Sequence, residues 1–364
     1  MFIVKIKFIM KVCIIGNSLT SLALAKALVN RDIFVDIICE KKQKKISQTR
    51  TLGISKSNID YFNKNILNIE QISWKIKKIQ IFSENIKKDQ IINFENSSSH
   101  LFSIIKNQKI FDLLNIKLRK NKFFNYKTSF DEDEYNLIIN CDFKHELTKK
   151  FFSKKFEKKY DSVAYTTTIE HVKFSPNNTA VQIFTNKGPL AFLPISDTRT
   201  SIVYSVKKDK INDKFNMRSA IKKFNSIYKI KHINEISKFN LKSINLRKYY
   251  YKNILAFGEL LHKLHPLAGQ GFNMSLRDIK ELTEIIDNKI ELGLPLDKEI
   301  CKEFQNKTKS GNYLFSTGID FIYECFNFES KIQSNLVTSA VKLVGKNKLL
   351  NRFLKKFADE GIRV

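Results

Sequence analysis

The stretch Gly258-Glu259-Leu260-Leu261-His262-Lys263-Leu264-His265-Pro266-Leu267-Ala268-Gly269-Gln270-Gly271-Phe272-Asn273 gathers more residues able to do chemistry than any other part of the chain. Gly269-Gln270-Gly271 reads as a compact turn presenting backbone N–H groups. The apolar spacing of Leu282, Ile285 and Ile286 predicts an amphipathic helix just behind it. A turn of that kind ahead of a helix N-terminus stabilises negative charge at its mouth. His262 and His265 lie in the same stretch. As imidazoles they could move protons near neutral pH, or they could be loop histidines hydrogen-bonded to backbone. No cysteine or acidic third ligand falls at a useful spacing, so no metal site is expected.

A second group stands near the start, where Gly16-Asn17-Ser18-Leu19-Thr20-Ser21 separates an apolar run from a helical pattern. A dinucleotide-binding turn wants GxGxxG here, for a tight turn, a close approach to pyrophosphate and a close helix–strand crossing. Only the first glycine is present, and Ser18 and Ser21 stand at the other two positions. Their hydroxyls can donate to phosphate, and an anion rests naturally on the helix N-terminus. Glu40, at the end of the next predicted strand, completes the pattern. Taken alone, the same residues also fit an ordinary βαβ turn.

The elements that must position these groups follow from periodicity. Residues 12–15 and 33–38 read as buried strands around a helix carrying Leu19, Leu22, Ala23, Ala27 and Leu28, which implies a parallel sheet. Residues 137–139 and 253–258 read as further strands of that sheet. Residues 41–60 read as a basic loop leading into a short helix, and 104–120 and 215–230 as helices. Alternation over 70–95 predicts strands outside the parallel sheet. The runs 162–171, 180–185, 189–195 and 199–206, separated by turn residues, predict an antiparallel meander. Within it Phe184, Phe192 and Leu193 could face a flat aromatic substrate or pack on the sheet's own core. Everything after Gly271 reads as helical.

The expected fold class is therefore α/β, in an α+β two-domain arrangement. A parallel-sheet, Rossmann-like domain (10–70, 100–155 and 250–295) is interrupted by an antiparallel β-sheet substrate domain (71–99 and 156–249), and C-terminal helices follow (296–364).

Composition narrows the class. The 364 residues carry 64 Lys+Arg against 36 Asp+Glu, a net charge of +28, with 43% hydrophobic and 27% charged residues. That balance excludes wholesale disorder. Lysine is spread through the loops instead of forming a block with interleaved aromatics, and arginine, which reads base edges, is rare. The charge is read as compositional, and no nucleic-acid partner is expected. Cys13, Cys39, Cys141, Cys301 and Cys325 form no CxxC pair, which fits a reducing cytoplasm. No secretion signal is read at the start and no membrane-spanning run is present. Residues 331–364 place apolar residues at helical spacing among lysines. Such a helix could lie on anionic lipid or pack on the protein with a solvated basic face.

The run GELLHKLHPLAGQGFNMSLRD resembles the GDxxHxxxPxxGQGxNxGxxD signature of the FAD-dependent aromatic hydroxylases, class A flavoprotein monooxygenases, and most closely their ubiquinone-biosynthesis branch. The order of motifs along the chain is also similar: the dinucleotide turn, Arg50-Thr51-Leu52, Asn107, Asp142, Glu170-His171, and Gly188-Pro189-Leu190-Ala191-Phe192-Leu193-Pro194. The resemblance implies that Gly16, Ser18, Ser21 and Glu40 hold the adenosine half of FAD, with Arg50 near the pyrophosphate and with Leu19, Thr20 and Asp142 also among the cofactor-binding residues. It implies that Gly258 and Glu259 meet the ribityl chain, and that Pro266, Gly269, Gln270 and Gly271, with Phe272 and Asn273, pass beside the isoalloxazine. Three departures mark this chain: Glu259 where Asp is usual, Phe143 where glycine is usual, and the two serines of the first turn.

The implied activity is hydroxylation of the aromatic ring of a polyprenylated phenol, with NAD(P)H and O2 as co-substrates, through a flavin hydroperoxide. A membrane surface and other ubiquinone-biosynthesis proteins are the implied partners, at a cytoplasmic, peripherally membrane-associated location. A second expectation is a non-catalytic relative that binds lipid or scaffolds a quinone-biosynthesis complex.

Overall fold

The structure, a computed structural model, describes residues 10–39, 50–84, 90–95, 99–211, 215–264, 270–332 and 348–362. Expectations placed on Glu40, His265, Pro266 and Gly269, and on much of the basic tail, lie outside those residues.

The first sheet has the order β16 (Tyr250–Tyr251), β17 (Ile254–Ala256), β9 (Leu137–Asn140), β1 (Lys11–Ile15), β2 (Phe34–Ile38), β8 (Phe124–Lys127). Every pairing from β17 to β8 is parallel, and β16 closes the edge as an antiparallel hairpin. The central strands are continuous apolar runs because helices cover the sheet. α1 (Leu19–Val29) packs against α3 (Asn107–Arg119) and α6 (Gln270–Glu291), and Val12, Ile14, Leu22, Leu28, Leu114 and Leu282 are all fully buried there. Registry matters most for function. Ile15 pairs with Asn140 and Asn140 with Ala256, so the three strands end level. Ligands of open parallel sheets bind in the crevice outside such strand ends.

The second sheet has nine strands. Eight run in the order β18 (His262–Lys263), β15 (Ser237–Leu246), β10 (Lys155–His171), β13 (Arg199–Lys207), β12 (Gly188–Ser196), β11 (Thr179–Thr185), β5 (Lys78–Ser83), β6 (Gln90–Glu95), and β14 (Ile230–Ile233) pairs with β10. The four runs read from alternation are β10 to β13. Only β11–β5 is parallel. A three-stranded sheet, β3 (Thr51–Ser55), β7 (Phe102–Lys106) and β4 (Trp74–Ile76), sits against it. The remaining helices are α2 (Lys56–Asn65), α4 (Glu146–Phe151), α5 (Met217–Phe224), α7 (Lys298–Ile332) and α8 (Lys348–Glu360).

The structure adds strands to the sequence reading. β10 begins at Lys155, and its first five residues are exposed, paired with the far end of β15. Such a segment has no buried face to impose alternation. The helix read over 104–120 begins at Asn107, and residues 102–106 before it form β7.

Candidate active site

Gly16, Asp142 and Gly258 meet where the level strands end. Gly16 has φ +99°, and a Cβ there would lie 3.2 Å from Asp142 Cβ. Gly258 has φ +64°, and a Cβ there would lie 3.1 Å from Thr20 Cγ2. Both positions therefore combine a left-handed backbone with a close approach that only glycine satisfies without strain. Both also bring together segments far apart in sequence.

The two serines replace the missing glycines by a specific device. Ser18 is the N-cap of α1, its Oγ accepting from Ser21 N at 3.1 Å and lying 2.8 Å from Ser21 Oγ. Ser21 is fully buried, so its hydroxyl is satisfied within the turn. Leu19 and Thr20, whose main-chain N–H groups have no partner inside the helix, line the cleft with Gly16, Asn17 and Ser18. Asp142 lines it too. Its backbone N–H donates to Asn140 Oδ1 at 2.9 Å and its Oδ1 accepts from Lys144 N at 2.8 Å, which fixes the turn after β9. Phe143 packs partly against the core and leaves this turn intact.

Glu259 projects into the cleft between two cations, Lys263 Nζ at 3.3 Å and Arg50 Nη2 at 3.8 Å. The surrounding walls alone would raise its pKa, but Lys263 and Arg50 more than offset them and hold it below the ordinary carboxylate value. The Arg50 guanidinium also lies 5.8 Å from the ring centre of Phe239.

Among the described residues the His262 imidazole has no backbone partner. Its Nε2 pairs with Asp278 Oδ2, both side chains are 1% exposed, and Asp278 Oδ1 accepts from Asn312 Nδ2 at 2.9 Å. This buried link ties β18 to α6 and α7, and among the described residues no cluster suited to a metal forms. α6 begins at Gln270. Among the described residues neither Gln270 Oε1 nor Asn17 Oδ1, both buried and both on cleft-lining residues, has a hydrogen-bond partner. A Cβ on Gly271 would meet nothing within 4 Å. Phe272 is buried in the core. Asn273 lines the cleft, but its carboxamide is committed to the fold: Nδ2 donates to Gly53 O at 2.8 Å, and Oδ1 accepts from Ser55 N at 2.9 Å.

Apart from Ser21, Gly258 and the Asp278–Asn312 pair, these groups line one cleft of about 1800 Å³ that runs from the α1 turn over the second sheet to α7 and α8. Phe184 and Leu193 line it; Phe192 does not. Successive side chains of a strand point to opposite faces, so Phe192 and Leu193 cannot share one. Phe192 is buried on the other face with Met217, Ile221 and Tyr228. Sequence reasoning missed the contribution of β15 and α8, which bring Phe239, Leu241, Lys355 and Phe357 to the cleft.

The whole arrangement, strand ends and α6 included, has the fold seen in solved aromatic monooxygenases and FAD-bound proteins. The structure superposes on p-nitrophenol 4-monooxygenase from Pseudomonas putida DLL-E4 with a TM-score of 0.79 at 12% identity, covering 98% of this chain and 99% of that one. For Klebsiella pneumoniae HpxO, crystallised with FAD and uric acid, the TM-score is 0.73 at 10% identity, covering 97% of each chain.

The sequence relatives point to one branch of that class. The chain is 28% identical over 161 residues to 3-demethoxyubiquinol 3-hydroxylase of Escherichia coli (strain K12), covering 42% of this chain but only 41% of the relative. It is 24% identical over 349 residues to the mitochondrial ubiquinone biosynthesis monooxygenase COQ6 of Drosophila melanogaster, covering 77% of this chain and 72% of that one. No protein-family model matches the chain. The resemblance to the ubiquinone-biosynthesis branch of the aromatic hydroxylases is borne out.

Proposed function

We propose that this protein is an FAD-dependent monooxygenase that hydroxylates the aromatic ring of a polyprenylated phenol in ubiquinone biosynthesis, using NAD(P)H and O2. The observation that carries the reading is the convergence of Gly16, Asp142, Glu259 and Gln270-Gly271 on one large cleft, with Gly258 packed against Thr20 next to Glu259. The residues present fit the cofactor. Two glycines stand where a Cβ would crowd the strand ends, and two buried amide oxygens, on Asn17 and Gln270, lack partners among the described residues.

Bound FAD would supply the redox chemistry, taking electrons from NAD(P)H and activating O2 for transfer of one oxygen atom to the ring. The chain's own tasks are binding, orientation and exclusion of water. The first turn of α1 offers N–H groups to an anionic pyrophosphate. Glu259, kept ionised by Lys263 and Arg50, is an acceptor for sugar-like hydroxyls. The N-terminus of α6 at Gln270 and Gly271 would hold the ring and favour negative charge placed against it. Phe184, Leu193, Leu241 and Leu264 supply apolar walls that displace water around the reacting groups.

The same reading extends to the membrane surface, where a polyprenylated substrate resides. Phe321, 69% exposed, lines the same cleft as Arg352, Lys355 and Lys356, a combination suited to anionic lipid. No helix among the described residues is long and apolar enough to cross a membrane.

The direct test is turnover under 18O2 with a phenol carrying a short isoprenoid chain. The expected product gains one labelled oxygen at the expense of one NAD(P)H. NAD(P)H oxidation that yields only hydrogen peroxide, at every phenol tried, would overturn the assignment.

A further inference from the structure

The cleft-facing side of the second sheet is apolar at both ends, with the long polar side chain of Gln182 between them. At one end Ala180 and Leu193 cluster with Ile76 and Ile104. At the other, Phe184 joins Leu241, Leu264 and Phe315. Between these runs a cross-strand row formed by Ile81, Gln182, Ala191, Val203, Thr166 and Ser237. Each is paired with the next, and all six line the cleft.

Strand alternation sends Val181 and Ile183 to the opposite face, where they pack in a separate core. Gln182 therefore points into the cleft, flanked by Ile81 on β5 and Ala191 on β12. It is half-buried, and its carboxamide has no hydrogen-bond partner among the described residues.

An apolar ligand laid over this row would strip water from that amide and return nothing, which is costly. A ligand with an oxygen at that height would restore the hydrogen bond. The two ends of the row also differ. Ile76 and Ile104 are almost completely buried and close one end, whereas the other leads along Phe184, Leu241 and Leu264 toward the exposed Phe321. A ligand seated here has its polar, flat part at Gln182 and its long apolar part leaving toward α7.

We propose that Gln182 is the residue that selects the phenolic head of the substrate, hydrogen-bonding its ring oxygen. The ring then lies across Ala191 and Val203, and the isoprenoid chain runs along Phe184, Leu241 and Leu264. This rests on the hydroxylase reading above. It assigns to one side chain the discrimination between an oxygenated ring and a bare one. A site built to hydrogen-bond a ligand oxygen rejects the analogue lacking it, because its own polar group is left unpaired.

The test compares the wild type with Gln182→Met, both reconstituted with FAD. The probes are a phenol carrying a short isoprenoid chain and the matching prenylbenzene without the hydroxyl. Flavin content and melting temperature should match between the two proteins; if the Met variant does not fold, Gln182→Ala takes its place. The wild type should bind the phenol about tenfold more tightly than the prenylbenzene, and the variant should bind both within about twofold of each other. A variant that keeps the wild-type preference overturns the role of Gln182 and leaves the hydroxylase reading standing. A wild type that retains FAD but binds neither probe overturns both.

Discussion

At the residue scale the account turns on Gly16 and Gly258, whose left-handed backbones sit against Asp142 and Thr20. Gly258→Ala adds a methyl group 3.1 Å from Thr20 Cγ2 at a φ that alanine disfavours. It should destabilise the fold by about 1–3 kcal/mol and lower flavin retention, read from the melting temperature and the flavin absorbance per chain. An unchanged melting temperature and full flavin content would contradict the tight apposition. Ser18→Ala removes the α1 cap and should cost about 1 kcal/mol, visible as a lower melting temperature; an unchanged one would mean the cap contributes nothing. The motif glycines, Asp142 and the Gln270–Asn273 segment were all legible in the sequence as types at fixed spacing. What the serines do was not, because the Ser18–Ser21 hydrogen bonds exist only once the helix has formed. Phe192 was placed on the wrong face of β12, although strand period alone separates it from Leu193.

At the scale of elements, the parallel sheet and the meander were legible because their central strands are continuous or alternating apolar runs. β8 and β15 were not. β8 is a four-residue edge strand, FNYK, and the first half of β15 lies along a solvated edge where polar residues are tolerated. β8 also completes a charge cluster that no local pattern could reveal. Asp36 of β2 accepts from Tyr135 Oη at 2.7 Å and pairs with Lys127 Nζ at 2.9 Å. Burial alone would raise the Asp36 pKa, but the hydrogen bonds from Tyr135 and Lys127 and the lysine charge hold it below the ordinary value.

A depressed carboxylate contributes stability that is fully present above its unfolded pKa, about 4, and is lost as the pH falls through its folded value. Asp36→Asn should therefore destabilise by about 2 kcal/mol at neutral pH. Its difference from wild type in chemical-denaturant titrations should stay constant down to about pH 5 and shrink below about pH 4. A difference that grows on acidification would reverse the sign. The buried link from His262 to Asp278 and Asn312 was half visible, since the histidine stood out in the motif and its carboxylate partner lies sixteen residues on.

For the whole molecule, three segments far apart in sequence form the end of one cleft proposed to take the cofactor, and the second sheet with α7 and α8 forms the other. A net charge of +28 would by itself draw any basic surface toward anionic lipid without specificity. Specific contact at the cleft mouth predicts more than that. Replacing Arg352, Lys355 and Lys356 by glutamine should abolish flotation with vesicles containing anionic lipid at about 0.15 M salt. Replacing three lysines remote from the cleft should leave it intact; equal losses would reduce the effect to net charge.

The central claim is that the cleft holds FAD, and the absorption spectrum of the purified protein after incubation with FAD and removal of the excess tests it most directly. The account predicts a yellow protein with close to one flavin per chain and a spectrum perturbed from that of free FAD. A colourless protein that is otherwise folded would contradict it.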